Sequence, residues 1–203
     1  MIEPVSTSSS KHQTAPIEKI ALVLDTNIVL GQMDLLESTV PILYNCIVCD
    51  TVLRETASNN LSAKTRLVKL IKDPNRFYVA FANENSRTTY DSKRPGETDN
   101  DFNDRLIRRV ARFFAAQLQP RVTVIFLSDD EDNLKRLAME DSPGDSKNLR
   151  GMTMRALVDY IGAQFPEMSE KLAWRGAVSV TRSADQVVCA AFLLLLLLLC
   201  AFH

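Results

Sequence analysis

Three shortages narrow this 203-residue sequence before any motif is read. Charge of one sign is absent: 24 Lys and Arg stand against 25 Asp and Glu, a formal net charge of −1. No basic halo announces a polyanionic partner, so any nucleic acid would have to be held by a local basic face. Histidine is scarce, with only His12 and His203, both near the chain ends. Cysteine is scarce too: Cys46 and Cys49 lie in one apolar segment, Cys189 and Cys200 in another. Cys46 and Cys49 have CxxC spacing, but without a second such pair or a nearby histidine they read as small buried strand residues rather than as half of a zinc site. Nothing here calls for disulfides or an oxidising compartment. Residues 1–17 are rich in Ser and Thr and lack the apolar run of a secretory signal, so they are expected to form a disordered leader.

What the sequence does have is an alternation of buried strands and amphipathic helices. The length suits one core domain plus tails. Ile20-Ala-Leu-Val-Leu24 is a continuous apolar run that delivers Asp25 and then turns polar. Such a run reads as a fully buried strand of a parallel sheet. Residues 28–36 suit a short helix, and Tyr44–Asp50 a second strand, after which Asp50 or Thr51 is expected to cap a helix carrying Glu55. Residues 62–71 form an amphipathic helix stopped by Asp73-Pro74, and Phe77–Phe81 is a third strand. The polar stretch 83–100 is too long for an ordinary connector, and is expected to be a lid, a binding loop or a disordered segment. Phe102, Leu106, Val110, Phe113 and Phe114 then give one helical stripe that must face the sheet. Residues 121–127 are a fourth strand ending in Ser128-Asp129-Asp130, residues 131–139 a helix, 148–152 a fifth strand, and 153–164 a final helix stopped at Phe165-Pro166. Alternating units of this kind predict an α/β fold with a parallel sheet of five strands.

Acids collect at the carboxyl ends of these strands and at the helix starts beyond them: Asp25, Glu55, Asp104 and Asp130, with Asp101 and Asp129 alongside. Ligands of open α/β sheets bind outside this edge. Each acid also has a bland reading, as a helix cap or a carboxylate favoured by the helix dipole. Four carboxylates in one cleft repel by roughly a few kcal/mol per close pair, so they must be protonated or hold cations. With no histidine or cysteine nearby, the ligand set is all oxygen, which suits one or two Mg²⁺ or Mn²⁺ ions rather than zinc. Phosphodiester hydrolysis is the natural reaction class for such a set.

Five blocks occur in order: Leu24-Asp-Thr-Asn-Ile-Val-Leu-Gly-Gln-Met-Asp-Leu-Leu36, Thr51-Val-Leu-Arg-Glu55, Asn83-Glu-Asn85 with Tyr90, Asn100-Asp-Phe-Asn-Asp-Arg-Leu-Ile-Arg108, and Leu127-Ser-Asp-Asp-Glu-Asp-Asn133. Together they resemble the PIN domain of the catalytic ribonuclease subunit of the eukaryotic exosome, over roughly residues 19–165. The resemblance implies a three-layer α/β/α fold over residues 18–168 and metal-dependent endonucleolytic cleavage of single-stranded RNA in RNA processing and decay. It puts the catalytic and metal-holding acids at Asp25, Glu55, Asp104 and Asp130, with Asn27, Asp101 and Asp129 supporting them. Relatives that have lost these acids act as docking modules, and here all four are present. The resemblance also implies association with the exosome core, in the nucleus, the cytoplasm or both.

This sequence departs from that pattern in three ways. Ser128-Asp129-Asp130 stands where the family has Thr-Asn-Asp, so Asp129 is expected to tighten cation binding or raise a neighbouring carboxylate pKa. The leader has no counterpart of the cysteine motif that helps relatives attach to the exosome barrel, which makes docking the less secure expectation. The downstream RNA-binding and exonuclease domains of full-length relatives have no counterpart either, so exonuclease activity is not expected. In their place comes an atypical tail, 169–203, whose sixteen uncharged residues 187–202 are at the short edge of a membrane span. A tail anchor and a leucine run from a truncated or misread frame are both open, with the anchored form the lesser of the two. For RNA, Arg87 and Tyr90 in the long loop and Arg105 and Arg108 on the following helix are candidate contacts, Tyr90 by stacking on a base. A non-catalytic docking or RNA-binding module is the alternative function. A haloacid-dehalogenase-type phosphohydrolase fits less well, since Asp25-Thr26-Asn27 lacks that class's second aspartate two residues on.

Overall fold

The computed structural model of the protein describes residues 19–118, 122–140 and 147–164. The expected leader, the expected helix stop at Phe165-Pro166 and the leucine-rich tail lie outside the described residues. Among the described residues, no helix is long and apolar enough to cross a membrane.

Five strands, β1 (Ile20–Leu24), β2 (Asn45–Cys49), β3 (Phe77–Phe81), β4 (Thr123–Leu127) and β5 (Leu149–Met152), form one sheet in the order β3-β2-β1-β4-β5. Every neighbouring pair is parallel. The two central strands, β1 and β4, are buried at every position, which is why they read as unbroken apolar runs instead of alternating ones. Burying a Leu, Ile or Val side chain stabilises by about 1.5–3 kcal/mol, so these strands anchor the core.

The helices are α1 (Thr26–Gly31), α2 (Met33–Leu36), α3 (Asp50–Asn59), α4 (Leu61–Lys72), α5 (Asp99–Leu118), α6 (Glu131–Met139) and α7 (Met154–Gln164). Helices α1 to α4 pack on one another, whereas α5 packs on β4 and β5, and α6 and α7 pack on β5. The expected single helix over 28–36 is two short ones, broken at Gln32, which leaves the helical region with φ −124° and ψ 21°. The α5 stripe is seated as expected, with Leu106, Val110 and Phe114 buried and Phe113 and Phe114 packed around Phe81.

One local expectation fails. Neither Asp50 nor Thr51 caps α3: Asp50 is its first residue, and the preceding Cys49 makes no side-chain cap. The cap comes from elsewhere in the chain, because Asn83 Oδ1 accepts the Thr51 N–H at 3.3 Å and Asn83 Nδ2 donates to Thr51 Oγ1 at 2.9 Å.

The long polar stretch is ordered. It starts with a 3-10 turn at Asn83–Asn85 and is pinned where Thr89 Oγ1 donates to the Asn83 carbonyl at 3.0 Å. Further on, Arg94-Pro95-Gly96-Glu97 makes a turn closed by Glu97 N–H on the Arg94 carbonyl at 3.1 Å, with Gly96 at φ 77°. That conformation at the third position of a Pro-Gly turn is the one glycine alone adopts without strain. The turn presents Glu97 to Arg105, and the pairing is described with the site below.

Cys46 and Cys49 are buried in β2 as free thiols. Burial pushes both up to about 12, which leaves them protonated and unreactive.

Candidate active site

The strand order reverses between β1 and β4, since the chain steps outward to β2 and β3 on one side and to β4 and β5 on the other. In parallel α/β sheets this switch point opens a crevice at the carboxyl edge. Asp25 leaves β1 there, its N–H bonded to the Leu127 carbonyl at the end of β4 at 3.0 Å. Ser128, Asp129 and Asp130 leave β4 beside it, Glu55 arrives from α3 and Asp104 from α5.

Asp25 is only 2% exposed. Its Oδ1 accepts the Thr26 N–H at 2.7 Å, so it does cap α1. Its Oδ2 accepts Ser128 Oγ at 2.6 Å, Asn133 Nδ2 at 2.9 Å and Asn27 Nδ2 at 3.0 Å. Burial pushes this carboxyl up from its ordinary value; bonds from Ser128, Thr26 and Asn133 oppose the rise, and the charge of Glu55 adds to it. One oxygen thus serves the helix and the other a ring of three side-chain donors.

Glu55 is held at both oxygens, Oε2 by Thr26 Oγ1 at 2.6 Å and Oε1 by Asn103 Nδ2 at 2.7 Å. Asp130 caps α6, its Oδ1 accepting from the Asp132 and Asn133 N–H groups at 2.8 and 3.1 Å. Asp104 differs from both, for its carboxylate receives one long bond, from Asn100 Nδ2 at 3.4 Å. Burial pushes Asp104 up to about 7, helped by the negative charges of Asp25 and Glu55, with Arg108 pulling the other way and Asp130 adding to the rise. Asp104 thus lies within the field of the other three predicted acids. Among the described residues, however, no three acids stand together as a ready-made cage for one ion. The donors suit Mg²⁺ or Mn²⁺ in type, being oxygens only. A looser set also fits Mg²⁺, which is commonly held by one or two carboxylates together with water and substrate phosphates.

The other predicted residues divide. Asn27 sits inside the site: Nδ2 donates to Asp25 and to Ser128 Oγ at 3.0 Å, and Oδ1 accepts the Asp129 N–H at 2.9 Å. Asp129 points away from the acids, accepting the Met154 N–H at the start of α7 at 2.8 Å and Gln32 Nε2 at 3.2 Å. Its extra charge serves a helix N-terminus rather than the cation site expected of it. Asp101 likewise turns from the acids, bonding Arg136 at 2.6 Å and Thr98 Oγ1 at 2.6 Å, and those two partners hold its carboxyl below its ordinary value.

The expectation that Arg105 and Arg108 meet RNA is corrected by their burial. Arg105 is clamped by Glu97 through Nε and Nη2 and by Asp91 through Nη1, each at 2.7 Å, and it stacks over the Phe102 ring at 5.4 Å. It staples the long loop to α5, and Glu97 is thereby held down at about 2. Arg108, also buried, donates to Asn133 Oδ1 at 2.6 Å and to both oxygens of Glu140 at 3.1 and 2.8 Å. Arg87 and Tyr90 are exposed on the loop, as a nucleic-acid contact requires.

Sequence reasoning missed Thr26, Asn103, Ser128 and Asn133, the groups that hold the acids. Ser128 was visible only as a departure from the family pattern. Structurally it is a hub, fully buried, donating to Asp25 and accepting from Asn27 Nδ2 and from the Asp130 N–H at 3.1 Å. A usable signal did exist: Asn103 and Asn133 are amides on helices beside the predicted acids.

A parallel sheet carrying an acid set of this kind at its switch point is the architecture of a known nuclease class, and the chain belongs to the PIN domain family, whose model matches residues 22–142. Among individual proteins, it is similar to the exosome complex exonuclease RRP44 of Homo sapiens, 31% identical over 157 residues, covering 75% of this chain and 15% of that protein. It is also similar to the exosome complex exonuclease RRP44 homolog A of Arabidopsis thaliana, 32% identical over 152 residues, with 75% and 15% covered. The chain therefore spans about 15% of the length of these curated relatives. Its fold matches the solved PIN domain of T. brucei RRP44 with a TM-score of 0.63 at 24% identity, over 76% of this chain and 85% of that one.

Proposed function

We propose that this PIN domain is a Mg²⁺- or Mn²⁺-dependent endoribonuclease that cleaves single-stranded RNA internally, acting with the exosome in RNA processing and decay. One observation carries the reading: Asp104 is pushed up to about 7, first by burial and then by the charges of Asp25, Glu55 and Asp130, with Arg108 opposing them. A folded protein that keeps so much negative charge together without neutralising it has a site suited to a divalent cation.

Asp25, Glu55, Asp104 and Asp130 would hold one or two ions, which supply charge neutralisation on the leaving oxygen and activation of the attacking water. Ser128, Asn27 and Asn133 fix Asp25, while Thr26 and Asn103 fix Glu55, so two of the four acids are oriented before substrate arrives. Tyr90 and Arg87 on the stapled loop present a stacking face and a phosphate contact to the strand. Association with exosome core subunits, in nucleus or cytoplasm, follows the relatives' names as exosome exonucleases. The second reading, a docking or RNA-binding module that does not cleave, draws on the lack of a ready-made three-acid cage among the described residues.

Circular single-stranded RNA separates the two, because it has no end for an exonuclease. Cleavage that needs Mn²⁺ and disappears in Asp104→Asn supports the enzyme. Equal residual cleavage by both proteins overturns it, and a folded wild-type protein that binds the circle without cutting it establishes the module.

A further inference from the structure

Behind two of the acids the fold repeats one arrangement with different residues. On α3 and α5, Arg54 Nη2 donates to Asn103 Oδ1 at 3.0 Å and Asn103 Nδ2 donates to Glu55 Oε1 at 2.7 Å. On α5 and α6, Arg108 Nη1 donates to Asn133 Oδ1 at 2.6 Å and Asn133 Nδ2 donates to Asp25 Oδ2 at 2.9 Å. Each arginine is held by a glutamate in turn, Arg54 by Glu84 through Nε and Nη2 at 3.2 and 2.9 Å, and Arg108 by Glu140. The repeated unit is glutamate, arginine, asparagine, carboxylate.

The chemistry of these groups makes the arrangement directional. A guanidinium has donors only and an ionised carboxylate acceptors only, whereas an amide has one end of each kind. An asparagine between the two can satisfy both in one orientation alone, with its oxygen toward the arginine and its NH₂ toward the acid. Remove the arginine, and the amide oxygen loses its donor, so the NH₂ is held by the carboxylate alone and its position loosens.

We propose that Arg54 and Arg108 are positioning residues, each locking an asparagine amide so that it donates to one carboxylate of the catalytic set, Glu55 and Asp25 respectively. The proposal rests on the reading of those carboxylates as metal ligands. Outer partners of ligand side chains commonly matter about as much as this, their loss weakening metal binding by roughly 10–100-fold. Arg54 is the informative member of the pair. Its side chain is 52% exposed, so truncating it leaves the fold intact, while Arg108, at 2%, holds the core as well as the site.

The test uses the full chain and the variants Arg54→Met, Asn103→Ala and the double substitution. In the metal-free protein, the Asn103 side-chain amide resonances are expected to move and to exchange faster with solvent in Arg54→Met. Unchanged resonances overturn the proposal whether or not the domain binds metal. Mn²⁺ is then titrated without RNA and followed by paramagnetic broadening. The expected result is affinity about tenfold weaker in each single variant, and no weaker in the double than in Asn103→Ala. Losses that multiply, or an Arg54→Met affinity equal to wild type, overturn the relay. A higher KM for RNA with normal Mn²⁺ affinity also overturns it, by making Arg54 a direct RNA contact. A wild-type protein that binds no Mn²⁺ refutes the metal-dependent function, and the amide measurement still decides the positioning role.

Discussion

The Asp25 carboxylate accepts four hydrogen bonds from Thr26, Asn27, Ser128 and Asn133, while the Asp104 carboxylate on α5 accepts one, from Asn100 at 3.4 Å. The two acids answer to the same field, but the fold satisfies one and leaves the other short of partners. Asp25 sits where strands β1 and β4 meet, so the Thr26 N–H just past β1 and the Ser128 hydroxyl just past β4 both reach it. Asp104 lies on a helix, where backbone N–H groups are taken by the helix itself and only side chains can serve it. The difference separates a carboxylate whose hydrogen bonds the fold supplies from one that it leaves short of them.

That contrast can be broken most severely at its satisfied end. Asp25→Ala strands the Ser128 hydroxyl and the Asn133 amide in a buried setting, and costs half-buried Asn27 one of its two Nδ2 bonds. Each orphaned group costs about 1–3 kcal/mol, so an overall loss of roughly 3 kcal/mol and a fall in Tm of about 6–12 °C are expected by calorimetry, with cleavage abolished. Arg108→Gln comes next, since it breaks a buried pair with Glu140 and frees Asn133. Because Glu140 is partly exposed, the expected loss by denaturant unfolding is about 2 kcal/mol, below the usual cost of breaking a fully buried pair.

Asp104→Asn sharpens the contrast in the opposite direction. A folded carboxyl raised to about 7 from an ordinary 3.8 binds protons more readily than the unfolded chain does. Stability from this group is therefore fully present below about pH 4 and is lost as the pH rises through about 7. In the metal-free protein, Asp104→Asn should match wild type in acid and exceed it above neutrality, while losing more than about a hundredfold in cleavage. Equal melting curves at pH 8 would show that Asp104 bears no strain. The smallest effect is expected for Asp129→Asn, which keeps an acceptor for the Met154 N–H. Its stability should change by no more than about 0.5 kcal/mol and its Mn²⁺ affinity less than about twofold.

The same contrast explains what could be read in the sequence. β1 and β4 were legible because burial on both faces leaves an apolar run, Asp25 because it follows β1 directly, and Asp130 because it lies three residues beyond β4. Asn83 as the cap of α3 was not, since its partner Thr51 lies 32 residues away and only the fold brings them together. Ser128, Asn103 and Asn133 escaped because proximity to an acid in sequence does not reveal which carboxylate the group meets: Asn103, beside Asp104, serves Glu55, and Asn133, three residues from Asp130, serves Asp25. Arg105 and Arg108 misled because basic residues on an amphipathic helix usually face solvent. Here α5 runs for twenty residues, with the acidic loop covering Arg105 and Glu140 covering Arg108. Asp101 and Asp104 lie three apart on α5, yet Arg136 takes Asp101 and leaves Asp104 alone to the acid cluster.

The most direct measurement of the central claim is an NMR titration of the Asp104 side-chain carboxyl carbon in the metal-free protein, repeated in Asp25→Asn and with Mg²⁺ present. Burial together with convergent carboxylates predicts a midpoint at about 7 that falls in Asp25→Asn and falls further when Mg²⁺ is added. A midpoint near the ordinary 3.8, unmoved by the substitution or by Mg²⁺, would mean that the acids do not share a cleft and would contradict the account.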